Sequence, residues 1–139
     1  MKIHIKRLDD DYHMEAVNDN GNSLQMDGAP EIGGHSLGMR PMQLLLSAVG
    51  GCSAIDVILI LKKQRQLITS FEVEVEGENE KIQEHKIWKN ICLHFKIGGN
   101  VDESKAIKAI ELSIDKYCSV SKILEPTANI TYKLTVNEG

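Results

Sequence analysis

The stretch from Leu44 to Leu61, LLLSAVGGCSAIDVILIL, constrains this chain more than any other, because 18 successive residues carry a single charge, Asp56. A run of that length could span a bilayer. Asp56 would then sit in hydrocarbon at a cost of about 2.5 to 3.5 kcal/mol on insertion scales, whereas the remaining chain reads as amphipathic soluble structure. The reading adopted is a helix apolar on every side, which must be covered on every side. A protomer of 139 residues can hardly wrap it alone, so the run implies a homodimer with this helix at its centre and no membrane partner.

The length suits one domain, residues 1–139, and 42% hydrophobic residues suffice for one core. With 16 Lys+Arg against 20 Asp+Glu the net charge is −4, so the basic excess that phosphate-backbone binding draws on is missing. Two Phe, one Trp and three Tyr are too few for base-stacking platforms. Nucleic acid is therefore not an expected partner. Three cysteines form no disulfide framework, and the start, MKIHIKRLDDDYH, lacks the apolar run of a signal peptide. A reducing cytoplasm is the expected location.

Ile3 and Ile5 alternate with polar neighbours, Tyr12 to Val17 follows an Asp-rich turn, and Asn20-Gly21 is a hairpin signal before Leu24. Residues 28–41 hold four glycines and two prolines and read as an irregular connection. Pro41 suits a first helical turn, and Lys62, Lys63 and Arg65 suit its far end, giving a helix over about 41–66. Phe71, Val73 and Val75 alternate with Glu, as do Ile91, Leu93, Phe95 and Ile97 with their neighbours, which predicts a long hairpin turning near Gly77 to Glu80. Asp102 is a candidate N-cap for a helix carrying Ile107, Ile110, Ile114 and Tyr117 on one stripe and ending near Cys118. A short helix over Ser119 to Glu125 and a strand over Ile130 to Val136 complete the order βββ-α-ββ-α-α-β, an α+β pattern.

Cys52 follows two glycines inside the apolar helix. Helical glycine costs roughly 1 kcal/mol relative to alanine, so the pair needs a reason. One is close packing, with the cysteine a small hydrophobe. The other is that the glycines open space at the sulfur, or break the helix so that free N–H groups face it. Asp56 lies four residues on, on the same helical face, and a carboxylate there needs a polar or charged partner; Arg40 is a candidate. Cys118 has Lys116 and Lys122 nearby as cations that could favour its thiolate, or is itself a buried small residue. Cys92 falls on the strand face opposite Ile91, Leu93 and Phe95 and reads as structural. There is no C-x-x-C or H-x-x-x-H, so finger-type zinc spacing is missing and no bound metal or cofactor is expected. His4, His13, His35, His85 and His94 read as surface residues, His35 in the glycine-rich loop being the least typical, and Gly33 to Gly38 lacks the Lys-Ser/Thr of a P-loop.

Pro41-Met-Gln-Leu-Leu-Leu-Ser-Ala-Val-Gly-Gly-Cys52 and Tyr117-Cys118-Ser-Val-Ser121, with the element order, make the chain resemble the OsmC/Ohr family of osmotically inducible and organic hydroperoxide resistance proteins. The resemblance implies an intertwined homodimer and a thiol-dependent peroxidase acting on small hydroperoxides. It assigns Cys52 as the peroxidatic nucleophile and Cys118 as its resolving partner, with an external lipoyl-type dithiol as reductant. Hydroperoxide-resistance members carry a glutamate directly after the proline, where this chain has Met42, and a partner arginine in the first hairpin, where Arg7 lies in no matching context. Gln43 is neutral. The chain is thus nearer the OsmC-like branch. Two other readings compete: a hydrolase-type nucleophile elbow at Gly50-x-Cys52-x-Ala54, which requires a parallel sheet and a later acid and histidine, and a non-catalytic dimeric module binding a small hydrophobic ligand.

Overall fold

The computed structural model of the protein describes residues 1–137. It is an α+β structure with strands β1 (Ile3–Arg7), β2 (Met14–Asn18) and β3 (Ser23–Met26), helix α1 (Pro41–Lys63), strands β4 (Leu67–Ile82) and β5 (His85–Asn100), helices α2 (Glu103–Leu112) and α3 (Ser119–Leu124), and strand β6 (Asn129–Asn137). A single 3-10 turn, Pro30–Ile32, and a π turn, Ser113–Tyr117, interrupt the connections. The order is the one anticipated from the sequence. The chain divides into two compact units, residues 1–45 and the residues from 46 onward.

In the first unit β1, β2 and β3 form an antiparallel meander, with Ile3 opposite Asn18 and Met14 opposite Met26. The Asn18 side chain accepts from the N–H groups of Asn20 and Asn22 and shapes the hairpin at Asn20-Gly21. The glycine-rich connection is ordered by Asp27, a residue that the sequence did not single out. Its buried carboxylate accepts from the N–H groups of Gly28 (2.7 Å), His35 (3.0 Å) and Leu37 (3.1 Å). Burial alone would raise its pKa, but those three donors outweigh it and hold the carboxyl below the usual range. His35 is engaged rather than merely solvated, since its Nε2 meets Asp11 Oδ2 at 2.7 Å.

In the second unit β5 is the central strand, antiparallel to β4 and parallel to β6. A parallel neighbour cannot follow through a tight turn, which is why α2, the π turn and α3 lie between β5 and β6 in the chain. Rows run across the sheet: Val75, Leu93 and Tyr132 in one, Val73, Phe95 and Leu134 in the next, Phe71, Ile97 and Val136 in a third. The β5 members are fully buried, each burial contributing about 1.5 to 3 kcal/mol. Acidic partners alternate on the other face of β4, where Glu74 pairs with Lys96.

The expected turn near Gly77 is corrected: β4 runs on to Ile82 and the hairpin closes at Gln83-Glu84. Gly77 serves close approach instead, because a Cβ there would lie 2.9 Å from the Trp88 ring and 3.0 Å from Leu46 Cδ1. The α2 N-cap is Asp102, whose carboxylate accepts from Lys105 N–H. Ile110 and Ile114 are buried as anticipated, but Tyr117 is 52% exposed and Cys118 is buried in its place. The π turn, with Cys118 N–H donating to Ser113 O five residues back at 2.7 Å, inserts one residue and slips the apolar stripe by one position.

Helix α1 is unbroken across Gly50 and Gly51. It buries the stripe Val49, Ser53, Val57 and Leu61, while Ile55 is 70% and Leu59 51% exposed. By length and composition it could cross a membrane, yet its buried stripe belongs to one apolar cluster with β5 and α2. The two glycines have different reasons. A Cβ on Gly50 would come within 2.6 Å of Val75 Cγ2, whereas a Cβ on Gly51 would meet nothing within 4 Å.

Gly50→Ala is therefore expected to destabilise the protein by about 1 to 3 kcal/mol through overpacking, and Gly51→Ala to stabilise it by about 0.5 to 1 kcal/mol, both measurable by urea denaturation. The hydrogen bond that the His35 ring donates to Asp11 raises the pKa of His35 above 6.5, assisted by the charges of Asp11, Asp9 and Asp27 against a smaller opposing effect of burial. The bridge is then complete below about pH 6.5 and fades as pH rises through the raised value. An NMR titration of the His35 ring should show that upward displacement and its loss in Asp11→Asn.

Candidate active site

The second unit brings Cys52 and Asp56 of α1 together with Cys118 at the start of α3. The two sulfurs and a carboxylate oxygen of Asp56 all lie within 4.8 Å of one another. Residues 52 and 56 share a helical face, one turn apart, and both are half-buried, whereas Cys118 has no exposed surface. No disulfide joins the cysteines. Cys92 stands apart on β5, half-buried and paired in register with Glu76 and Thr131.

Because α1 is continuous through the glycines, Cys52 has no helix N-terminus before it, and the idea that the glycines break the helix to expose N–H groups to the sulfur is set aside. Cys118 is the residue with a helix end. It is the N-cap of α3, with φ −73° and ψ 104°, and its Sγ accepts from Ser121 N–H at 3.4 Å. Burial pushes the Cys118 thiol pKa up; the Ser121 hydroxyl and N–H pull the other way, and Cys52 adds to the rise. The net effect keeps Cys118 a thiol at neutral pH. The two lysines near it in sequence are engaged elsewhere, Lys116 lying 5.3 Å over the Tyr117 ring and Lys122 pairing with Glu125 at 3.4 Å.

The partner that Asp56 required is a hydroxyl. Ser113 Oγ donates to Asp56 Oδ2 at 2.9 Å, and Ser53 Oγ lies 3.0 Å from Ser113 Oγ. Ser113 has one proton and gives it to the carboxylate, so Ser53 is the donor to Ser113. Both serines are fully buried. Their chain ties α1 to the π turn and fixes the carboxylate beside the sulfurs. Arg40, the cation considered from the sequence, belongs to the first unit, and its backbone N–H donates to Gln43 Oε1 at the start of α1. The Arg7 guanidinium is engaged locally, donating to the backbone carbonyls of Asp10 and Asp11.

Ser113 was not singled out in the sequence, and no polar role was read there for Ser53, one of the small residues of the apolar helix, or for Ser121, part of the second cysteine motif. Ser53 and Ser113 each occupy a position of an apolar stripe, between Val49 and Val57 and beside Ile110 and Ile114, and a polar residue on a buried stripe was the available signal. The arrangement suits sulfur chemistry: one accessible thiol and one buried thiol at short range, with a fixed carboxylate alongside.

Comparison with known proteins agrees with this architecture. The OsmC-like protein family profile matches residues 33–133. Protein YhfA of Escherichia coli (strain K12) is 40% identical over 97 residues, 69% of this chain and 72% of that protein. The crystal structure of a hypothetical protein from Aquifex aeolicus VF5 is similar with a TM-score of 0.84 at 27% identity, over 99% of this chain and 96% of that one. An organic hydroperoxide resistance protein OsmC from Legionella pneumophila shares the fold at a TM-score of 0.72 and 15% identity, over 97% of each chain. Fold order, the α1 cysteine context and the extent of these matches lead to one assignment: the chain belongs to the OsmC-like protein family.

Proposed function

We propose that the protein is a thiol-dependent peroxidase that reduces small organic hydroperoxides through Cys52 and Cys118. The observation that carries this reading is the half-buried Cys52 sulfur within 4.8 Å of the fully buried Cys118 sulfur. Accessibility divides the roles, since only a sulfur that solvent can reach meets the peroxide first. The Cys52 thiolate attacks one peroxide oxygen, the O–O bond breaks, and the alcohol leaves as Cys52 becomes a sulfenic acid. Cys118 then attacks the Cys52 sulfur, and water leaves as the disulfide forms. The hydroperoxide is reduced by two electrons and the two thiols are oxidised by two. An external dithiol of the lipoyl type restores both thiols by exchange.

The S–S distance must contract to about 2.05 Å in the disulfide. A reducing cytoplasm would keep both thiols in the state from which the cycle starts. The exposed α1 residues Ile55 and Leu59 support a homodimer that covers the helix, and the family resemblance points to an intertwined one. A non-catalytic module for a hydrophobic ligand is the second reading, favoured by an apolar groove of about 410 Å³ on the first sheet, lined by Ile3, Ile5, Ala16, Leu24, Met26 and Leu44.

One equivalent of cumene hydroperoxide added to the reduced protein is expected to give a Cys52–Cys118 disulfide with Cys92 unmodified, read by peptide mass spectrometry. Steady turnover with dihydrolipoamide should disappear in Cys52→Ser. Unreacted thiols would eliminate the peroxidase, and a ligand held equally well by Cys52→Ser and Cys118→Ser would establish the module.

A further inference from the structure

Cys52, Asp56 and Cys118 also present a set of three ligand atoms to a cation. Two thiols and a carboxylate from two different elements converge within 4.8 Å of each other. In tetrahedral zinc sites, with Zn–S of about 2.3 Å and Zn–O of about 2.0 to 2.2 Å, neighbouring ligand atoms stand roughly 3.4 to 3.8 Å apart. A contraction of about 1 Å in the widest pair brings the set to that spacing. The carboxylate is already oriented from behind by the buried Ser53–Ser113 pair, the kind of outer support that fixes a metal ligand. It keeps free lone pairs besides the one that Ser113 occupies. Next to Cys118, the fully buried Ser121 hydroxyl has no hydrogen-bond partner among the described residues.

We propose that Cys52, Asp56 and Cys118 form a three-ligand site for Zn²⁺, with the fourth position open to water, and that occupancy reversibly blocks the thiol pair. The regulatory half rests on the peroxidase reading; the binding half does not. One Zn²⁺ replaces two thiol protons, so two protons are released per ion and no electron moves. Affinity therefore rises with pH. Pairs of ligands close in sequence do not reveal this site, because its two sulfurs are about 66 residues apart.

The test is a titration of the full-length protein, reduced with a phosphine, with Zn²⁺ against a chromogenic chelator, and with Co²⁺ for its absorption spectrum. One equivalent per chain is expected, with thiolate-to-cobalt charge transfer and tetrahedral d–d bands. Cys52→Ser and Cys118→Ser should weaken binding at least about 100-fold, Asp56→Asn about 10-fold or more, and Cys92→Ser not at all. Zinc should slow the peroxide-driven Cys52–Cys118 bond in the wild type, and removal of the ion with EDTA should restore the rate. Binding that survives the double serine variant, for example at the exposed Asp9, Asp11 and His35 group, or a cobalt spectrum without thiolate bands, overturns the site. If zinc binds as described and no disulfide forms with peroxide, the peroxidase reading and the blocking role fall and the metal site stands.

Discussion

The contact between Gly50 and Val75 governs the geometry of everything around it. With no Cβ on Gly50, α1 comes close enough to the β4–β5–β6 sheet for Val49, Val57 and Leu61 to join the buried β5 row in one cluster. That close approach sets the height of the helix over the strands, and with it the height of Cys52 two residues further on. Interiors are packed to crystal density, so a helix held at a larger spacing would lose contacts along its whole stripe. The flank bearing residues 52 and 56 would move with it.

The second determinant is the π turn at Ser113–Tyr117. Had α2 continued with regular geometry, the apolar stripe of Ala106, Ile110 and Ser113 would have reached residue 117 and left residue 118 turned away. The added residue in the wide turn brings Cys118 inward and starts α3 from it. Wide turns of this kind sacrifice regular hydrogen bonding and recur at functional sites. Here the turn also carries Ser113, which joins the two elements through a buried proton donor to Asp56.

Much of this architecture was legible in the residues. Period-two alternation located β4, β5 and β6, the apolar run located α1, and Asp102 marked the start of α2. Cys52 and Asp56 could be placed on one face by spacing alone. The hairpin turn was misplaced because Gly77 signals a turn locally, while its actual constraint, the Trp88 ring, is eleven residues away in sequence and across the hairpin. The π slip was hidden because Tyr117 and Cys118 both satisfy an apolar pattern, and only tertiary packing decides between them. The roles of Ser53, Ser113 and Asp27 depend on partners distant along the chain or on backbone donors, and periodicity carries no information about either.

The placing of the β4–β5 hairpin and α2 between the two cysteines has a consequence for the oxidised form. These elements separate Cys52 from Cys118 by about 66 residues, so in a denatured chain their thiols would rarely meet. A covalent tie formed in the native structure would remove that freedom from the denatured ensemble, worth about 4 kcal/mol in the chain-entropy view. Such a tie would thus harden the same fold whose thiols it consumes. Resistance to heat or protease would then report the redox history of the molecule.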